Sequence, residues 1–130
     1  FSERVKSVVS VEHNETWFNE LKKSLPSNIQ IILKTDTTDY SKFITESNNK
    51  FDIILVDGIE RNECIHNALI ALTEQGVIVL DDSERSDYTG GIKEIKDRGF
   101  RDLEFWGIAP GILFKKCTTV FYRHNNCLGI

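Results

Sequence analysis

Acidic side chains stand where four apolar runs stop. Glu12 closes VKSVVSVE, Asp36 follows IQIIL, Asp57 follows DIILV and Asp81-Asp82 follow VIVL. Carboxylates presented together can accept both hydroxyls of a ribose. They can also hold a hard divalent cation such as magnesium through oxygen, or act on the proton of an incoming nucleophile. Glu12 suits the first task, and His13 beside it could pack on an adenine face. Asp57, Asp81 and Asp82 come from neighbouring strands and could converge on one cation. Each acid also has a plainer use, as a solvated loop residue or a helix cap, and Asp82-Ser83 stand where a cap for the next helix would. Several acids at one edge favour a site over that reading.

Other reactive residue types carry less. Cys64, Cys117 and Cys127 lack metal-ligand spacing and read as reduced thiols of a cytosolic protein. His66 and His124 have no partner at catalytic spacing, Lys115-Lys116 is a short solvated pair, and Trp17 and Trp106 read as core.

The elements that must position these acids follow from periodicity. Ile53–Val56 is apolar at every position and rich in β-branched residues, which specifies a strand covered on both faces and hence central in an α/β sheet. Val5–Glu12, Ile29–Leu33 and Val77–Leu80 are further strands. Asn14 caps a helix carrying Trp17, Phe18, Leu21 and Leu25, with Pro26 beyond it. A short helix spans about Asp39 to Ser47, with Tyr40, Phe43 and Ile44 inward. Ile65, Ala68, Leu69 and Leu72 define another, ended by Gly76 in the left-handed cap position. Tyr88 to Arg98 forms a fourth, capped by Gly99. Leu103–Ile108 and Thr118–Tyr122 are strands too close in sequence for a parallel crossover, so they pair antiparallel. In such sheets ligands bind at the carboxyl ends of the strands, where all these acids lie.

The chain has 130 residues, a net charge of −4 and two-fifths apolar residues, the profile of one soluble domain. The charge argues against nucleic acid as a partner, and no run is long enough to span a membrane. No methionine is present and residue 1 is Phe, so the chain is expected to be processed or part of something longer.

The order strand–Glu12–helix, strand–Asp36, strand–Asp57-Gly58–helix–Gly76, strand–Asp81-Asp82, helix, antiparallel pair resembles the class I S-adenosylmethionine-dependent methyltransferases. The stretch VDGIERNECIHNALIALTEQGVIVLDD is similar to the catechol and caffeoyl-coenzyme A O-methyltransferase group. The resemblance runs from about Val5 to Tyr122. It implies a Rossmann-like α/β fold: a mostly parallel sheet, helices on both faces and an antiparallel C-terminal pair. It also implies S-adenosylmethionine as cofactor, a small-molecule acceptor methylated at oxygen, and a cytoplasmic location. By this resemblance Glu12 holds the ribose, His13 borders the adenine and Asp36 and Thr37 contact it. Asp57 lies beside the methionine part and the acceptor. Asp57 and Asp81 are the catalytic candidates, and Asp57, Asp81 and Asp82 would hold a divalent cation where one is used.

Two departures stand out. Glu60-Arg61 replaces the His that the related group often carries after Asp-Gly-x. The family's opening strand and Gly-x-Gly loop are also missing, so the domain, residues 1–130, is expected to be N-terminally incomplete, with Phe1–Arg4 ending the helix after that loop. In the family the missing strand lies between the Glu12 and Asp57 strands. Without it, either more polypeptide fills the gap or the two strands close on each other. A nicotinamide-dependent Rossmann enzyme is the alternative among enzymes, since Glu12 fits both. A non-catalytic α/β fragment is the alternative outside them.

Overall fold

The computed structural model describes residues 2–108, 110–111 and 113–130. One 3-10 turn, Ser2–Arg4, leads into β1 (Val8–Glu12), α1 (Glu15–Leu21), β2 (Ile29–Leu33) and α2 (Thr37–Glu46). Then come β3 (Phe51–Val56), α3 (Arg61–Ala71), β4 (Leu72–Leu80), α4 (Thr89–Asp97), β5 (Arg101–Ile108) and β6 (Lys115–Tyr122). The helix end expected at Phe1–Arg4 is that 3-10 turn, and Phe1 itself lies outside the described residues.

The strands form two sheets, not one. β1 and β2 pair in parallel, and a second sheet has the order β3-β4-β6-β5. In the second sheet β3 and β4 are parallel, while β6 runs antiparallel to both β4 and β5. Between β1 and β3 runs a slot of about 650 Å³. Every residue of both strands lines it, together with Val5–Ser7 and Lys50 before them and His13, Asp57 and Gly58 after them. Tyr40 meets both His13 and Gly58, which follow β1 and β3, so the two strands point the same way and the row reads β2-β1-slot-β3-β4-β6-β5. They have not closed on each other, and α2, which packs against both β1 and α3, bridges the two sheets.

This row explains the helix placement. The chain steps one way from β1 to β2 and the opposite way from β3 to β4. Right-handed crossovers in both put α1 and α3 on opposite faces. α2 and α4 both pack on α3, so three helices cover one face and α1 the other. The Rossmann-like α/β arrangement with an antiparallel C-terminal pair is as expected.

Burial corrects the expectation for β3. Ile54 and Val56 are buried under α3, but Leu55 on the opposite face is 48% exposed. β3 is the outermost paired strand of its sheet, since its second edge faces the slot. The core sits beneath α3 and α4: Ile65, Ile78, Leu80 and Ile95 are fully buried, and Phe121 almost so. No described residue before Ser41 is buried.

Helix boundaries moved for local reasons. α2 starts earlier than expected because Asp36 is its N-cap. α3 stops at Ala71, so Gly76 is no helix cap; it lies within β4, where a Cβ would come 2.5 Å from the Leu72 side chain and 3.1 Å from the Phe51 carbonyl. Gly99 does take the left-handed conformation after α4, at φ +81°.

Candidate functional site

Four strand ends deliver their residues to one edge, but from two sheets. At the end of β1, Glu12 turns back on its own loop: its Oε1 accepts from the Asn14 amide at 2.7 Å and lies 3.3 Å from His13 Nδ1. Both contacts use the same oxygen, so Oε2 is the one left for a ligand. The His13 ring meets Tyr40 edge-on at 5.8 Å between centroids. At the end of β2 the Lys34 amide donates to the Glu12 carbonyl, fixing the register of the two ends.

Asp36 has a local task. One of its carboxylate oxygens accepts from the Thr38 and Asp39 amides at 2.9 and 3.0 Å, which caps α2. Unpaired amides at a helix start need such a partner. Thr37 is the exposed first residue of that helix.

Across the slot, Asp57 and Gly58 end β3. Gly58 is required for space, because a Cβ there would sit 1.9 Å from the Tyr40 hydroxyl oxygen. Tyr40 thus spans the rim, with His13 on one side and Gly58 on the other. Burial, with Cys64 and Glu12 nearby, pushes its phenol up to about 12. Cys64 is likewise pushed up by burial to about 11, which keeps it a neutral thiol near pH 7.

Asp57 and Asp81 are shifted in opposite directions. Burial and the adjacent Asp81 charge hold Asp57 above the usual carboxylate range, with Arg61 opposing. Burial pushes Asp81 up too, but hydrogen bonds outweigh it and hold Asp81 below that range. They come from the Thr118 hydroxyl at 2.5 Å, the Asp82 backbone and the Asp57 side chain. The two neighbouring carboxyls are thereby given different proton affinities.

The metal expectation is not met. Asp82, buried and at φ 52°, directs its carboxylate to Lys116 and, at 3.6 Å, to Arg61. Two cationic side chains therefore stand where a divalent ion would be. Among the described residues no three His, Cys, Asp or Glu side chains are grouped for a metal. Asp57, Asp81 and Asp82 do not fit a magnesium site.

Three residues escaped the sequence reading. Tyr40 was seen only as an inward-facing helix residue. Arg61 looked like a departure from the related group's His and proves to be a buried clamp. Lys116 was taken for a solvated cation and pairs with Asp82. A cation three residues after Asp-Gly, opening a helix beside a second acidic pair, was the available signal.

The sequence matches no family model and no curated protein. Solved structures do match. The precorrin-6y C5,15-methyltransferase of Geobacter metallireducens superposes with a TM-score of 0.65 at 15% identity, over 90% of this chain and 68% of that one. The precorrin-8w decarboxylase of Methanobacterium thermoautotrophicum gives 0.60 at 18%, over 92% and 70%. A methyltransferase of Pyrococcus furiosus gives 0.62 at 14%, over 89% and 62%. At these identities the likeness is one of fold, that of class I methyltransferases. It does not single out the catechol and caffeoyl-coenzyme A group.

Proposed function

We propose that this chain forms the greater part of an S-adenosylmethionine-dependent methyltransferase acting on a small-molecule acceptor, at oxygen. One observation carries the reading: the slot opens at the strand ends where the chain's direction of progress reverses. A crevice at such a switch point is where open α/β sheets bind nucleotide ligands. Glu12 and His13 form one rim and Asp57 and Gly58 the other, with Tyr40 reaching between them.

The residues suit the cofactor. Glu12 has an oxygen free for a ribose hydroxyl, His13 and Tyr40 offer aromatic edges to a base, and Asp57 offers a carboxyl to an ammonium group. When bound, S-adenosylmethionine would supply an electrophilic methyl group. The chain's own contribution is to align an acceptor at the rim and receive its hydrogen bond. Asp81, the carboxyl held below the usual range, is the better placed of the two to accept a hydrogen bond from an acceptor hydroxyl. Asp36 acts through α2, whose first residue Thr37 is the closer candidate for adenine. In this reading one more parallel strand fills the slot. The loop after such a strand is where a Gly-x-Gly would stand, and the 130 residues contain none.

Calorimetry on the native protein containing this chain tests the reading. Saturable binding of S-adenosylmethionine and S-adenosylhomocysteine, with no response to NAD, is the expected result. Binding of NAD instead would install the nicotinamide alternative, and binding of neither would leave a non-catalytic α/β domain. A neighbour named for methylation at C5 and C15 makes carbon the second choice of receiving atom.

A further inference from the structure

The side chain of Arg61 is 92% shielded from solvent on the first turn of α3, and it reaches both strand ends of the site. Its Nε donates to the Gly58 carbonyl at 2.9 Å, and Nη2 to the Asp57 carbonyl at 3.1 Å. Nη1 donates to the Asp81 carbonyl, and Nη2 also lies 3.3 Å from Asp57 Oδ1. The guanidinium packs over the Tyr88 ring, 5.1 Å from its centroid. Asp82 is its partner at 3.6 Å but has Lys116 as well.

We infer that Arg61 is the positioning residue of this edge: one planar guanidinium fixes the spacing of the β3 and β4 ends and so sets where the Asp57 and Asp81 carboxyls face. Calling that edge a cofactor site rests on the proposed function; the clamp itself does not. A guanidinium is suited to the task because its donors form a rigid fork, whereas lysine concentrates its donors at one point. Neutralising Asp82 alone would not need it, since Lys116 already meets that carboxylate. Three main-chain carbonyls just beyond two strand ends need donors in three fixed directions, and the fork supplies them. Glu60, the residue before Arg61, takes the left-handed conformation at φ 48° where the chain turns into α3.

The test separates geometry from charge, on the native protein containing this chain. Arg61→Lys is expected to keep cooperative unfolding but to weaken S-adenosylmethionine binding by about tenfold, the loss of one or two hydrogen bonds. In the same variant the carbonyl carbon resonances of Asp57, Gly58 and Asp81 should move while those of β5 and β6 stay. In the unaltered protein the Arg61 Nε–H should exchange with solvent at least about tenfold more slowly than those of exposed Arg85 and Arg98. This readout needs no variant and no cofactor. Equal exchange rates, or wild-type carbonyl shifts in Arg61→Lys, would overturn the inference. Should the unaltered protein bind no S-adenosylmethionine, the proposed function fails while the exchange and shift data still decide the clamp.

Discussion

The two sheets are built to different standards. The β3-β4-β6-β5 sheet is packed under α3 and α4, and among the described residues every fully buried aliphatic side chain lies in that sheet or on those two helices. The β1-β2 sheet has strands of the same Val and Ile character, yet every one of their residues is only half-buried or exposed. Apolar composition makes a strand, but a core needs a second layer on it. The site straddles the two: Glu12 and His13 ride on the thinly packed sheet, Asp57 and Asp81 on the packed one. One half of the rim should therefore be rigid and the other easily opened.

Core truncation should show the largest contrast. Ile78→Ala, at a site with no exposure, is expected to cost about 2–5 kcal/mol of global stability. Ile31→Ala in β2 should cost about 1 kcal/mol or less, since its side chain is only half-buried. Chemical denaturation of both variants checks this; equal losses would mean that the two sheets unfold as one unit.

Native-state hydrogen exchange sharpens the same comparison. Amides of β4 and β6 should exchange only through global unfolding, and those of β1 and β2 through local opening, faster by about a hundredfold. A ligand or strand that occupied the slot would slow β1 and β3 together, because they share it. Protection of β1 equal to that of β4 without any addition would show the slot to be filled already in solution.

Binding tests the rim next. Glu12→Ala in the native protein should weaken S-adenosylmethionine by about 2–3 kcal/mol, through loss of a charged hydrogen-bond acceptor. Its effect on global melting should be small, as Glu12 lies in the thinly packed sheet. An unchanged dissociation constant would leave Glu12 with only its loop contact to the Asn14 amide.

Tyr40 links the halves, and its titration reports on the link. Its phenol is held at about 12 in the folded chain against 10.0 ordinarily. The folded state therefore binds the proton more tightly than the unfolded state. Stability is fully present below pH 10 and falls as pH rises from 10 to 12. Thermal melts of Tyr40→Phe should lack this part of the alkaline decline. If the variant declines as steeply as the parent, the phenol is not shielded between the two rims.

What could be read without coordinates follows from this contrast. The existence of the strands, the antiparallel tail and the placement of the acids at strand ends are local patterns, and the chain displays them directly, whereas the insertion of β6 between β4 and β5 is not local. The break between β1 and β3 is not local. Ile53–Val56 looks central because its residues are all apolar, and nothing in that run says that one edge lacks a partner. Gly76 was misread because glycine after a helical stripe signals a cap. In the fold it makes room for Leu72 and the Phe51 carbonyl, a contact between distant residues. The magnesium expectation failed likewise: spacing brings Asp82 near Asp57 and Asp81, but only the fold shows Arg61 and Lys116 beside it.

Asp36 poses the finest test, because the cap and the ligand contact compete for one carboxylate. Its side chain accepts from two α2 amides, so an alanine there should cost about 1 kcal/mol and loosen the first turn of that helix. Alanine alone cannot separate the roles, since a frayed α2 would also displace Thr37 and Tyr40. Asp36→Ser can, because serine caps about as well as aspartate but carries no charge. If Asp36 serves only α2, this variant should melt within about 0.5 kcal/mol of the parent and bind S-adenosylmethionine unchanged. If the carboxylate meets the adenine, stability will hold while affinity falls. The first outcome would make α2 purely a bridge between the two sheets, and the second would give the thinly packed half a binding contact of its own.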